Sequence, residues 1–234
     1  MQIITFTNTN NITEEYYPVP ASFLLPEWYK NLTSYTGNEK KTNGDGVSTA
    51  TAKKCMPIFD AIVSGYIIVS PADVFVSQKE TEDGIKEPYF EWANYGLIKF
   101  HPIEQLPEHP KRNGNTVYPK WINPWGIKTP KGYSVLFTQP MHRESPFTIF
   151  PGVVDTDTYN APVNFPFVLN DVNFEGLIPA GTPIAQITPI KRENWKMSIG
   201  KKEDLENQIK IQNKLRAKFF DSYKTQFRQT KQYK

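Results

Sequence analysis

The sequence predicts a mainly β fold followed by a long basic helix at the C-terminal end, on three observations. Aromatic residues are abundant, with 15 Phe, 12 Tyr and 5 Trp among 234 residues, enough to bury a sizeable core without disulfides or metals. The 20 prolines outnumber the 13 glycines. Proline cannot donate to a sheet ladder and fixes its own φ, so the strands should be short and the connections rigid. Finally, Glu203–Gln229 contains no Pro or Gly and is dense in Lys, Gln, Glu and Asn, the composition of an exposed helix.

The elements follow in order. Residues 1–54 read as an N-terminal arm and loop: Ile3, Ile4 and Phe6 alternate with polar residues as an extended arm or first strand. Ser22–Leu32 suits short helical turns, with Pro26 near a helix start, and Ser34–Lys54 is a polar surface loop. The β domain is expected over 55–200. Ile58–Val69 reads as a strand pair or one bent strand with Gly65 at the bend, Val74–Val76 as a strand and Ser77–Glu87 as a charged turn. Tyr89–Trp92 and Leu97–Phe100 are short strands. The proline- and glycine-rich stretch from His101 to Pro130 reads as an ordered loop in which Trp121 and Trp125 act as core lids. Tyr133–Thr138, Phe147–Val154, Val163–Leu169 and Ile184–Ile190 have strand length and apolar or alternating patterns. Residues 201–234 form the basic helix. Leu205, Ile209, Leu215, Phe219, Tyr223 and Phe227 fall near one helical stripe, on a helix of about 40 Å at ~1.5 Å per residue. Of that stripe, Leu215, Phe219, Tyr223 and Phe227 are the expected partner-binding residues.

Composition also excludes classes of function. A single cysteine, Cys55, rules out an internal disulfide framework and fits a reducing compartment. The first residues lack the charge and apolar run of a signal peptide, and no apolar stretch approaches the ~20 residues that span a bilayer. The expected location is therefore intracellular, with no membrane partner. His101, His109 and His142 show no metal-ligand spacing with one another or with Cys55, so no metal site is expected, and no phosphate loop or hydrolase motif is present. Residues 191–234 carry 13 Lys/Arg against 5 Asp/Glu, a net of +8, while residues 1–190 carry a net of −5. An acidic body with a basic tail is a partner signal. Aromatics at helical spacing favour assembly over nucleic acid as the role of that tail.

From Lys128 to Ile190 the chain resembles the dUTPase and dCTP deaminase superfamily. Thr129-Pro130-Lys131-Gly132-Tyr133 resembles the turn that leads toward the phosphate motif. Gly152-Val153-Val154-Asp155-Thr156-Asp157-Thr158-Tyr159 resembles the hairpin that receives the nucleoside, and Ile178–Ile187, with its Ile-Ala-Gln, the segment that closes the barrel. The chain as a whole is also similar to a family of phage and bacterial proteins, which implies a viral origin. The resemblance implies a β-clip or distorted antiparallel barrel, for which a jelly roll is the alternative. It implies a homo-oligomer, a trimer first, whose projecting helix crosses onto a neighbour. It further implies Asp155 as the base that polarises a water, Tyr159 supporting the deoxyribose, Arg143 as a fork for phosphate oxygens, Gln186 as a nucleotide or phosphate ligand, and Mg²⁺ arriving with any triphosphate.

The chain departs from that pattern where the chemistry lies. Arg143-Glu144-Ser145 puts a carboxylate where the family has Arg-Ser-Gly or Arg-Ser-Ser, and a carboxylate ~4 Å from a phosphate charge costs about 1 kcal/mol even in water. Thr158 displaces Tyr159 by one place, and the basic helix stands where the family has a glycine-rich arm. Asp155 and Asp157 read either as a catalytic pair or as a solvated turn, and His142, Arg143 and Glu144 as an acid/base cluster or a charged loop tip. The sequence therefore favours a phage-type non-enzymatic binding or assembly protein, either a virion component or a nucleotide-binding accessory. The alternative is a nucleotide pyrophosphatase or deaminase-like enzyme acting on deoxynucleoside triphosphates.

Overall fold

A computed structural model describes residues 2–41, 48–105, 108–109, 117–217 and 221–234. The chain divides into two compact units, Met1–Leu24 with Ser64–Arg192, and Leu25–Val63 with Glu193–Lys234.

The first unit is built of strands β1 (Thr5–Asn8), β2 (Val19–Pro20), β3 (Tyr66–Val69), β4 (Val74–Glu80), β5 (Lys86–Trp92), β6 (Ile98–His101), β7 (Tyr118–Trp121), β8 (Trp125–Lys128), β9 (Tyr133–Thr138), β10 (Phe147–Ile149), β11 (Gly152–Val154), β12 (Phe165–Leu169), β13 (Gly176–Ile178) and β14 (Pro183–Lys191). They form four sheets, ordered β1-β8, β10-β12-β7-β6, β11-β9-β14-β3-β2 and β13-β4-β5. Every pairing between them is antiparallel. The core is aromatic: Trp121 stacks on Phe167 at 5.5 Å and packs against Phe147 at 5.3 Å, and Trp125 and Phe137 join the same cluster. In β3, Ile68 faces this cluster while Ile67 and Val69 face a smaller one with Ala21. That strand is covered on both sides, which explains its unbroken apolar run.

Four local expectations are corrected. Ile58–Val69 is not a strand pair: Met56–Ile62 is helical, with Pro57 in its first turn, where a preset φ suits a helix. A short apolar run looks the same for a buried helix and a strand, and only the part beyond Gly65 becomes β3. The turn expected over Ser77–Glu87 is confined to residues 81–85, because the β4–β5 ladder runs out to Glu80 opposite Lys86. Its charges are cross-strand pairs, Lys79 opposite Glu87 and Glu80 opposite Lys86, which supports pairing instead of ending it. The stretch His101–Pro130 holds two strands, with Pro119 inside β7 opposite Phe100. A proline is tolerated there because antiparallel neighbours alternate between bonded and non-bonded pairs. Gly152–Tyr159 makes no hairpin: β11 pairs with β9, while the next strand, β12, joins a different sheet.

The second unit holds helices α1 (Glu27–Asn31), α2 (Met56–Ile62), α3 (Lys202–Ala217) and α4 (Ser222–Gln226). The single long helix expected over 203–229 is therefore not formed. Asp221 adopts a left-handed conformation at φ 62° just ahead of α4, and its carboxylate is held by Lys54 at 2.7 Å. Of the stripe, Leu215 lies in α3 and Tyr223 in α4, while Phe227 follows the end of α4. Phe219, the remaining member of the expected partner-binding set, lies outside the described residues.

Around α2, Tyr29 is almost fully buried and stacks on Phe59. Arg228 lies over the other ring of that stack, with its guanidinium 5.5 Å from the Phe59 centroid. It also grips Asp60 through Nη2 at 2.6 Å and Nε at 3.1 Å. Arg228 bonding holds the Asp60 carboxyl below its ordinary pKa. Arg228→Met, which keeps the aliphatic packing, is expected to lower stability by about 1.5–3 kcal/mol at neutral pH, the worth of bonds to a charged group. The sign with pH follows from the lowered pKa: this stabilisation is present above the ordinary carboxylate range and is lost as acid protonates Asp60. Urea titrations of the parent and the variant should therefore differ at pH 7 and converge toward pH 3.

Candidate functional site

The site forms where β11 ends. Beyond Val154 the chain turns, and the carbonyl of Asp155 accepts from the amides of Thr158 (3.1 Å) and Tyr159 (2.9 Å). The turn is fixed from beneath by Thr156, which is fully buried. Its hydroxyl lies 2.7 Å from that of Thr129. The Thr129 hydroxyl donates to the carbonyl of Tyr133 at 3.1 Å, and since it has one proton to give, Thr156 is the donor in their pair.

This places the two aspartates on either side of Arg192, which directly follows β14. The Arg192 amide donates to the carbonyl of Gly132 at 2.8 Å, so its backbone is anchored at the same turn. Its guanidinium grips Asp157 bidentately, Nη1 to Oδ1 at 2.9 Å and Nη2 to Oδ2. Nη1 also reaches the Tyr133 carbonyl (3.0 Å), Ser134 Oγ (3.1 Å) and Asp155 Oδ1 (3.2 Å). Asp157 accepts a further bond from the Gly132 amide at 2.8 Å, and Asp155 one from Ser134 Oγ at 2.6 Å. The two carboxylates differ in access, the Asp157 side chain being 4% exposed and that of Asp155 62% exposed.

Arg192 and the Gly132 amide hold the Asp157 carboxyl at about 2, against an ordinary value of 3.8. The same pairing raises the pKa of Arg192. A carboxyl with a lowered pKa stabilises the fold above its unfolded value, and that contribution disappears as pH falls from 3.8 toward 2. Melting temperatures measured from pH 5 to pH 2 are expected to fall more steeply for the parent than for Asp157→Asn. Parallel curves would show that the clamp has no part in acid stability.

The other expected site residues lie elsewhere. Tyr159 belongs to the Asp155 turn and is 53% exposed. Arg143 lies in the connection from β9 to β10, where Nη2 donates to the carbonyl of Leu24. Burial lowers its pKa, and its Nε is a buried donor with no hydrogen-bond partner among the described residues. Ser145 turns its hydroxyl back to the Phe147 amide at 3.3 Å. Gln186 is completely buried, its Oε1 accepting from the Met141 amide (2.9 Å) and its Nε2 donating to the Ser64 carbonyl (2.7 Å). Both ends of that amide are committed to the backbone of this chain.

Strand register separates these residues into two groups. Asp155 bonds Ser134 near the start of β9, whereas Gln186 pairs with Thr138 at the other end and ties down Met141 in the loop that carries Arg143. From Ser134 to Thr138 the strand spans about 13 Å at ~3.3 Å per residue. The chain therefore brings Asp155 together with Tyr159, and Gln186 together with the Arg143 loop, at opposite ends of one strand.

Sequence reasoning missed Arg192, Ser134 and Gly132. The available signal was an arginine directly after an apolar strand in a chain with an unassigned Asp-Thr-Asp, but 35 residues separate Arg192 from Asp157 and only the sheet joins them. The arrangement does not suit a resident cation: Arg192, Ser134 and Gly132 occupy three of the four oxygens of the aspartate pair, and a guanidinium stands where a cation would approach. Among the described residues, no group of three or more His, Cys, Asp or Glu side chains comes together. No helix among them is long and apolar enough to cross a membrane.

Fold and site together define a mainly β protein of antiparallel sheets with an arginine-clamped carboxylate turn and a C-terminal helix. No family model matches the chain, and no curated protein matches it. Among solved structures it is similar to a mutant dUTPase from phage phi11 of S. aureus, at 11% identity over 86% of this chain and 97% of that one, with a TM-score of 0.35. A likeness at that level assigns the chain neither a family nor an activity.

Proposed function

We propose that this chain is a non-enzymatic binding or assembly protein, a homo-oligomeric component of a virion or a nucleotide-binding accessory. The observation that carries this reading is the separation along β9. The only residue that the resemblance nominates to activate a water, Asp155, bonds Ser134 at one end of the strand, while the arginine nominated for phosphate follows the other. Hydrolysis needs attacking water and phosphate within ~3–3.5 Å of one another, and about 13 Å of strand lies between the groups that would hold them. The Arg192 clamp adds support, since the Ser134 hydroxyl and the Arg192 guanidinium already occupy Asp155 Oδ1.

The test is a panel of deoxynucleoside triphosphates with Mg²⁺, reading pyrophosphate release and thermal shift on the same samples. The expected result is no turnover with any of them, and a shift with one would select the nucleotide-binding branch. Turnover abolished by Asp155→Asn with the melting temperature retained would overturn the proposal and establish the enzyme. Light scattering on the same protein is expected to give a mass above that of one 26.9 kDa chain.

A further inference from the structure

The sheet β13-β4-β5 has two unlike faces. Its inner face contributes Val74, Val76, Phe90 and Ile178 to the core. On its outer face the register sets Leu177, Phe75 and Glu91 side by side, with Ser77 opposite Tyr89 in the neighbouring row. Leu177, Phe75 and Tyr89 are 52%, 50% and 39% exposed. Glu87 and Glu91 alternate with Tyr89 along β5, and the Glu175 carboxylate is held beside β4 by the Gln78 amide. On this face of the ladder Lys79 has its ammonium over the Tyr89 ring. The face is thus an apolar centre with an acidic rim, and a large exposed apolar centre marks an interaction surface.

The second unit carries the complementary pattern. Glu193–Lys201 has no helix or strand. Within it every second residue is large, apolar and bare to water: Trp195 at 87%, Met197 at 85% and Ile199 at 84%. In an extended segment these three share one side with Glu193 and Lys201, while Lys196 faces the other way, and Lys202 follows.

We propose that the segment Trp195–Ile199 of a second copy of this chain lies on the outer face of β13-β4-β5, its apolar row on Phe75, Leu177 and Tyr89 and Lys201, two residues further on, against the glutamates. This rests on the homo-oligomer reading above and names its contact. The occupant is identified by charge and spacing: the face is acidic around an apolar centre, and residues 193–202 carry three lysines against one glutamate around an apolar row. Aromatic side chains bury roughly 150–250 Å² from full exposure, and the three on the face start about half covered, so the six involved bury on the order of 700 Å², the size of a weak contact. The contact is head-to-tail, so it repeats, each copy giving one segment and receiving another, until a ring closes.

The test uses the full chain with Met197→Glu on the segment and Phe75→Lys on the face, both at exposed positions. Each is expected to shift the oligomer to monomer in light scattering with an unchanged far-UV spectrum. In a mixture of ¹⁴N- and ¹⁵N-labelled chains, a photo-cross-linking amino acid at position 195 is expected to join differently labelled peptides, one of them containing Phe75, Tyr89 or Leu177. Variants that remain oligomeric, cross-links that land elsewhere, or cross-links confined to one label would overturn this contact while leaving the oligomer intact. A parent protein that is monomeric at tens of micromolar would overturn the homo-oligomer reading and this contact with it.

Discussion

Gly65→Ala is expected to leave the chain without a cooperative folded state. Gly65 turns the chain into β3 at φ +69°, a left-handed conformation that costs an L-residue roughly 1–2 kcal/mol. The larger effect is steric. A Cβ there would stand 1.9 Å from the Ile187 carbonyl oxygen and 2.8 Å from its carbon, and both atoms belong to the β14 backbone, which no rotamer change can move. Relief requires β14 to shift, although Ile187 is paired with Tyr66 on one side and Phe137 on the other. The sum should exceed about 4 kcal/mol, the range reserved for strain and overpacking, against a whole-domain stability of about 5–15 kcal/mol. Gly84→Ala separates the two causes. It has a comparable φ of +74° with nothing nearer than a flexible Glu80 oxygen at 3.6 Å, so it should cost only the conformational part. Thermal melts followed by circular dichroism decide the matter, and a Gly65→Ala protein melting within a few degrees of Gly84→Ala would refute the close approach.

The second large effect is expected at Gln186. By resemblance this residue would bind nucleotide, yet its side chain joins the Met141 amide to the Ser64 carbonyl within a fully buried environment. Gln186→Leu conserves volume while deleting both bonds. Leaving buried polar groups without those partners costs about 1–3 kcal/mol each, so a loss of roughly 3 kcal/mol is expected by denaturant titration in the absence of any ligand. Gln186→Glu should also destabilise, because a carboxylate cannot donate to the Ser64 carbonyl. If both variants retained the parent's stability and lost only nucleotide-induced thermal shift, Gln186 would be a ligand residue and its buried bonds incidental.

The carboxylate turn shows why a motif is legible while its role is not. Gly152–Tyr159 announces a strand running into a turn, and that is what forms. Whether its aspartates are free to act depends on Arg192, brought in by the pairing of β14 with β9. Nothing local to the motif encodes that partner. The C-terminal helix fails in a related way. Its composition predicts helix throughout, but the left-handed Asp221 and its ion pair with Lys54 interrupt it, a tertiary contact overriding propensity.

By itself the sequence determined what depends on neighbours along the chain. This includes the mainly β class, the strands Tyr133–Thr138 and Ile184–Ile190 with their apolar alternation, which form as Tyr133–Thr138 and Pro183–Lys191, the bend at Gly65 and the helical character that begins near Lys202. Tertiary structure alone decided what depends on register and on burial across the sheets. It made Met56–Ile62 a helix and ran the β4–β5 ladder through charged residues. It also placed Arg143 and Asp155 at opposite ends of β9 and gave Asp157 its arginine. The physical reason is one of range. Propensity and periodicity act over a few residues, whereas a pairing register brings together side chains far apart in the chain, and the chemistry of this site lies in those distant pairs.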